Sequence, residues 1–510
     1  MRLFVRIEGA SPFCLVLQDN LLPEHYVEIA TKYNRERWHA TRSPPELVLI
    51  RRVVFRNNDQ LLDFRKKKAK GVRAPVAAPT DPQQLRDPTH VYDTTHQADM
   101  IKQELVVTNP ASAAVVAHCE TELIFKSITL NRLIQKMTDP STSNFVEDVF
   151  WDTYRAFTTP GEVLDKLFER YEVPPLTKIG DSQRSPLDEA HYVIYQEQTR
   201  MRVVQALEHW VERYYFDFAD DTLHHKLSRW TREKMDQDGI SGKLLHLMRT
   251  CDRTPLRLRP PVVFPGVASR SLAPSAVLAK YHPLEIANQL TLLTSYAHDQ
   301  LFPCELLGRQ WDGPERSNVP NFIAYRDFIN RVGNWVSYAV LSEKNEPMRI
   351  NNVAVLYHLC DELYTLNNWD CLVAVHGGLC DTPVAKLTQT FSKLPADALP
   401  LVNKFEELLS TRGSSRNIKA AMAASSRPRF PSILINMRDL LHLEEMPIET
   451  DGMINFQRSI HLYNLLKFLL DGKHMKLDIV PDLQLMGVFS HWPIVDESVL
   501  HTQSQEIQPR

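Results

Sequence analysis

The 510-residue chain lacks the marks of several protein classes. Its seven cysteines (Cys14, Cys119, Cys251, Cys304, Cys360, Cys371 and Cys380) are odd in number and scattered, with no CxxC pair. That argues against a disulfide framework or a structural zinc site and suits a reducing compartment. No run approaches the ~20 apolar residues of a membrane-spanning helix. The first thirteen residues carry a charge inside a short apolar stretch, which does not suit a secretory signal. A cytoplasmic protein is expected, with no direct membrane insertion and any recruitment left to partners. A net charge of −3 gives no push toward nucleic acid.

Catalytic signatures are missing as well. The segment 238–243 has the Gly-Lys ending of a phosphate loop but lacks its first glycine, and Leu244 stands where Ser or Thr is needed. His376-Gly377-Gly378-Leu379 has the look of an esterase oxyanion loop, yet no GxSxG nucleophile elbow accompanies it. His224 and His225 are adjacent on a helical stretch and face different ways. No HExxH or Cys/His cluster has ligand spacing. The expectation is no covalent chemistry, no metal and no cofactor. Neither βαβ alternation nor a repeat of 20–50 residues is present.

What remains is a chain of ordinary globular composition, 43% hydrophobic and 24% charged, long enough for two to four domains. Residues 1–56 read as a small ββαβ unit with strands near 2–8, 13–17 and 46–55 and a helix at 22–33, similar by pattern to a ubiquitin-like or Ras-association module. Residues 57–120 read as a linker, charged and proline-rich over 57–100 and including the basic run Arg65 to Arg73. Residues 121–238 are helical. Thr159, Pro160 and Glu162 mark a helix start. Val203, Val204, Leu207, Trp210, Val211 and Tyr214 form an apolar stripe at helical spacing. Residues 239–270 read as a second linker, because Pro255, Pro260, Pro261 and Pro265 cannot continue a helix. Residues 271–510 are helical again. The fold class is mainly α, with two all-helical domains.

Within the last domain the segment FPSILINMRDLLHLEEMP (430–447) reads as a helix that ends with Leu441 one turn before Glu445. A break at Asp451-Gly452 follows, then a second helix whose buried stripe includes Phe456, Ile460 and Tyr463. An acid pair, Glu444 and Glu445, at a helix C-terminus opposes the macrodipole, so helix stability does not explain it.

In order along the chain, several blocks resemble the Ras guanine-nucleotide exchange factors. Phe150-Trp151-Asp152-Thr153-Tyr154, then Trp210-Val211, then Asp217-Phe218 are similar to the Ras exchanger motif that precedes the catalytic domain. Pro303-Cys304-Glu305-Leu306-Leu307-Gly308, Trp311, Asn318 to Phe322, Asn330 to Val336, Leu366 to Trp369, Gly377 to Leu379, Ser414 to Asn417 and the 430–456 hairpin are similar to the Son-of-sevenless-type catalytic domain. The resemblance implies a helical hairpin that opens switch I of a Ras-subfamily GTPase, of Ras or Rap type. Leu441 would displace the GTPase's Mg²⁺ and Glu445 would compete with its phosphates, so GDP, GTP and Mg²⁺ belong to the partner. Asp439, Glu444, Leu379, Cys380 and Asp299 fall at GTPase-facing positions, and Phe456, Ile460 and Tyr463 support the hairpin. If the N-terminal unit is of Ras-association type, it would bind a GTP-loaded GTPase. The chain departs from the family at His282, where an acid is usual, at Asp299 and Cys380, where members have Arg and Asn, and at Ile418 and Ala421-Met422. The alternative these departures leave open is a catalytically weak pseudo-exchange factor acting as a GTPase-binding scaffold.

Overall fold

The structure, a computed structural model, describes residues 2–7, 13–16, 47–48, 101–108, 120–139, 144–174, 186–235, 242–251, 254–255, 263–267, 272–410 and 412–509. The chain divides into two compact units. The first comprises residues 1–86, 93–127 and 175–192. In it β1 (Arg2–Ile7) pairs antiparallel with β2 (Phe13–Val16) and β3 (Leu47–Val48), in the order β2-β1-β3. These are three of the expected N-terminal strand positions, whereas the expected helix at 22–33 lies outside the described residues. So does the basic run at 65–73. The expected linker holds a strand, β4 (Ile101–Thr108), built on the β-branched run Val106, Val107 and Thr108. Another strand, β5 (Glu120–Ile128), ends at the unit boundary.

The second unit is helical. It opens with α1 (Leu130–Met137), α2 (Asn144–Thr153), α3 (Pro160–Tyr171), the long α4 (Pro186–Arg213, from Val193 onward in this unit), α5 (Asp221–Trp230) and α6 (Gly242–Thr250). Thr159 caps α3 as its sequence predicts, accepting from the Glu162 N–H at 3.3 Å, while the Glu162 carboxylate accepts from Thr158 Oγ1 at 2.7 Å. The expected apolar stripe, Val203 to Val211 on α4 and Tyr214 just past its end, is buried. Asp217 gathers Tyr154, Arg155 and Trp210 around one carboxylate. Helix α6 lies where a linker was expected. Its Leu244 and Met248 are buried at i, i+4 spacing, and Lys243 of the phosphate-loop look-alike pairs with Glu208 at 2.7 Å.

Then follow α7 (Pro274–Lys280), α8 (Pro283–Gln300), α9 (Pro320–Leu341), α10 (Glu346–Thr365), α11 (Trp369–Leu379), α12 (Thr382–Ala385), α13 (Thr388–Ser392), α14 (Leu399–Leu408), α15 (Arg412–Ala424), α16 (Ile433–Glu445), α17 (Phe456–Leu469), α18 (Leu483–Ser490) and α19 (Glu497–Ile507). These surround one hydrophobic core centred on α8 to α11. His282 does the capping work of an acid: its Nδ1 accepts from Leu284 N–H and its own N–H donates to Glu285. Gly378 explains the oxyanion-loop look-alike, because a Cβ there would lie 2.5 Å from Gly333 O and 2.8 Å from Val336 Cβ. The glycine permits α9 and α11 to cross in contact.

Candidate functional site

The hairpin rises from a buried foot. Phe430 runs beside Asn368, exchanging backbone hydrogen bonds with Asn367 and Trp369. Ser432 caps α16 by accepting from Ile435 N–H at 3.1 Å. Its hydroxyl donates to Asp370, which also accepts from Ile433 N–H at 2.9 Å and from Tyr325 OH at 2.8 Å. Because the tyrosine spends its only proton on Asp370, His298 Nε2–H donates to the tyrosine oxygen at 3.3 Å. Burial pushes the Asp370 carboxyl up, against its three donors and a further backbone hydrogen bond to Leu434, and pushes the His298 imidazole down to about 3. The block from Leu366 to Asp370 therefore anchors the start of the hairpin.

Along α16, Ile433, Asn436 and Leu440 are buried, and Leu434, Met437 and Leu441 pack partly against the core. The break is a miniature β-ribbon: β6 (Glu449–Thr450) pairs with β7 (Met453–Ile454) across Asp451 and Gly452, with φ of 55° and 71°. Both central residues are left-handed, the backbone of a tight hairpin turn that favours Asp-Gly. Ile454 also pairs with Ile128, the first residue of the second unit after its boundary. Asn455 then caps α17 by accepting from Arg458 N–H at 3.2 Å.

At the tip, the expected residues Leu441, Glu444 and Glu445 lie within the last two turns of α16, with Leu441 one turn before Glu445. Leu441 is half-buried. The side chain of Glu445 is 65% exposed, with Arg309 Nη2 at 3.6 Å. Half-buried Glu444 accepts from Gly308 N–H at 2.5 Å. Burial raises its carboxyl pKa, offset by that N–H and by Arg458 and Arg309. Arg458 was not foreseen: it donates to the carbonyls of Leu443 and Glu444 at 3.1 and 3.3 Å. Nothing local in the sequence singles it out, since it reaches back across the ribbon.

The other expected positions lie apart from this turn. Asp439 is held by Lys419, whose Nζ stands 2.8 Å from both oxygens. Asp299 accepts from the His474 N–H just past α17, near the foot of the hairpin. Leu379 is 1% exposed and belongs to the core. Cys380 is exposed overall, with its Sγ 3.7 Å from both His376 ring nitrogens, and partial desolvation of the thiol raises its pKa. Phe456, Ile460 and Tyr463 are buried, and Tyr463 meets Phe145 of α2 edge-to-face at 5.7 Å. Ile418 and Met422, two departures from the family pattern, are fully buried. Among the described residues no group of His, Cys, Asp and Glu could hold a metal ion, and no helix is long and apolar enough to cross a membrane.

Two family models match this chain, the RasGEF N-terminal motif at residues 124–229 and the RasGEF domain at residues 285–459. It is similar to three proteins of Dictyostelium discoideum. It is 25% identical to Ras guanine nucleotide exchange factor V over 84% of this chain and 21% of that protein. It is 28% identical to exchange factor R over 65% of this chain and 19% of that protein. To exchange factor J it is 24% identical over 76% of this chain and 48% of that protein. The chain thus spans between about a fifth and a half of the length of these three relatives.

Proposed function

The chain belongs to the Ras guanine-nucleotide exchange factor family, and from that premise we propose that it promotes GDP release from a Ras-subfamily small GTPase of Ras or Rap type. The observation that carries this reading is the last turn of α16, where Glu445 stands exposed one turn beyond Leu441 on a helix anchored at its other end by a buried carboxylate.

A GTPase holds its nucleotide through phosphate contacts and Mg²⁺. A protein that speeds release must favour the nucleotide-free state, with tenfold for each ~1.4 kcal/mol of difference in affinity. Leu441 would bring hydrocarbon to the Mg²⁺ position, and a hard cation that loses oxygen ligands is bound more weakly. Glu445 would give the GTPase's phosphate-binding lysine an alternative counter-ion. The exposed Arg309 pair costs little to break, since such pairs are worth ~0–1 kcal/mol. Nothing in this scheme needs a bond made or broken by the exchange factor. A GTPase-binding unit at residues 1–56 remains part of the proposal, and membrane recruitment would come through the lipidated GTPase.

The test is release of a fluorescent guanine nucleotide from a panel of Ras, Rap, Ral and Rho-type GTPases, with Leu441→Ala and Glu445→Ala as controls. Acceleration on a Ras or Rap GTPase that both substitutions reduce is the expected result. Binding without acceleration would favour a scaffold instead. The core position of Leu379 and the engagement of Asp439 by Lys419 leave fewer free partner contacts and support that second reading.

A further inference from the structure

The last turn of α16 carries Glu445, one of the two residues proposed to act on the GTPase, yet the final carbonyls of a helix have no helical partner and that end frays most easily. Here one side chain meets two of them. Arg458, in the first turn of α17, donates Nε–H to Leu443 O at 3.1 Å and Nη2–H to Glu444 O at 3.3 Å. It is 4% exposed, and burial lowers its pKa, so the guanidinium sits there against a desolvation cost. Its own backbone is fixed, because its N–H donates to Asn455 Oδ1 while Asn455 Nδ2 donates to Pro447 O at 3.0 Å. From the other side Gly308, at φ 76°, aims its N–H at the Glu444 carboxylate, and Arg309, at φ 53°, turns back toward Glu445. The end of α16 is therefore gripped from α17 and from the turn at 308–309.

We propose that Arg458 is a positioning residue for nucleotide exchange, with Glu444 as its partner: together they hold the last turn of α16 so that the Glu445 carboxylate projects into solvent one turn beyond Leu441. This inference rests on the exchange reading above, and it assigns Glu444 to the protein's own scaffold. A guanidinium suits the task because its planar fork reaches two neighbouring carbonyls at once, whereas a lysine is a single point donor. Misplacing a reacting group by about 1 Å can cost up to ~100-fold in rate.

The experiment uses the full chain as wild type, Arg458→Lys, Arg458→Met, Glu445→Ala and the double variant Arg458→Met/Glu445→Ala. Release of fluorescent GDP from a responsive Ras or Rap GTPase is measured against exchange-factor concentration. Arg458→Met is expected to lower the maximal release rate about tenfold with the half-saturating concentration within about twofold, and Arg458→Lys to recover part of that loss. On the Glu445→Ala background Arg458→Met should cause no further loss, because residues acting through one another are not additive. Equal losses on both backgrounds would overturn the proposal. Amide hydrogen exchange gives a second readout that needs no GTPase. Arg458→Met should speed exchange at 443–455 alone, with partial recovery in Arg458→Lys, and unchanged or chain-wide exchange would overturn the positioning role. Should wild type accelerate no GTPase, the exchange reading falls, while the hydrogen-exchange arm still decides whether Arg458 holds this turn.

Discussion

The foot and the tip of the helical hairpin are built on opposite principles. At the foot, Ser432, Asp370, Tyr325 and His298 form a hydrogen-bonded chain with no access to water. At the tip, one turn of helix is gripped by Arg458 and Gly308 while the Glu445 side chain stays in solvent. Buried polar networks fix geometry because every broken bond exposes an unsatisfied group to a low dielectric. Exposed charges do not fix geometry, but they are free to change partners. A lever that must hold its angle and still meet another protein needs one of each.

Asp370→Ala should produce the largest effect. Ser432 Oγ, Tyr325 OH and Ile433 N–H would lose their buried acceptor, so urea unfolding should show a loss of about 3 kcal/mol or more. A loss below about 1 kcal/mol would mean that the foot is not a rigid mount. At the tip, Glu445→Ala should leave stability within about 0.5 kcal/mol while slowing nucleotide release on the responsive GTPase about 10- to 100-fold, equivalent to ~1.4–2.8 kcal/mol. Undiminished release would erase the functional half of the contrast.

The foot should also respond to pH. The His298 imidazole titrates at about 3 when folded and near its ordinary ~6.5 when unfolded. Between those values the unfolded chain binds the extra proton. The contribution of His298 is therefore full above pH ~6.5 and is lost as pH falls toward 3, with a slope of up to ~1.4 kcal/mol per unit. The stability advantage of wild type over His298→Gln should thus shrink from pH 7 to pH 5 in urea unfolding, and a constant difference would contradict a buried, neutral imidazole in the foot.

Smaller effects belong to the tip. Gly452→Ala forces a side chain onto a left-handed residue, φ 71°, and should cost about 1 kcal/mol, read as faster amide exchange in the 449–454 ribbon. Arg309→Ala should change release by less than about threefold, since its pair with Glu445 is solvent-exposed on both sides. A larger change would make Arg309 part of the working site.

Much of the hairpin could be read before the fold was seen. The 3.6-residue period placed Phe456, Ile460 and Tyr463 on a buried face, and the ordered blocks pointed to the family that the domain matches identify. The Asp451-Gly452 pair marked the break, although its two short strands were not foreseen. They are two residues each, too short for an alternating pattern to register. Helix α6 was missed because nearby prolines outweighed its single apolar turn. Gly378, read as an esterase look-alike and set aside, proved to be a helix-crossing glycine.

The sequence by itself determined what depends on neighbours within a turn or two. That includes the helical class, the cap at Thr159, the break at Asp451-Gly452, and the placement of Leu441 one turn before Glu445. Only the tertiary structure decided which charges stay free and which are consumed. Asp439 is taken by Lys419, Asp299 by the His474 backbone and Glu444 by Gly308, while Glu445 keeps most of its surface in water. The reason is physical: a helix forms from bonds four residues apart, but a carboxylate's partner can lie 136 residues away, as Gly308 does from Glu444, and no local pattern encodes that distance.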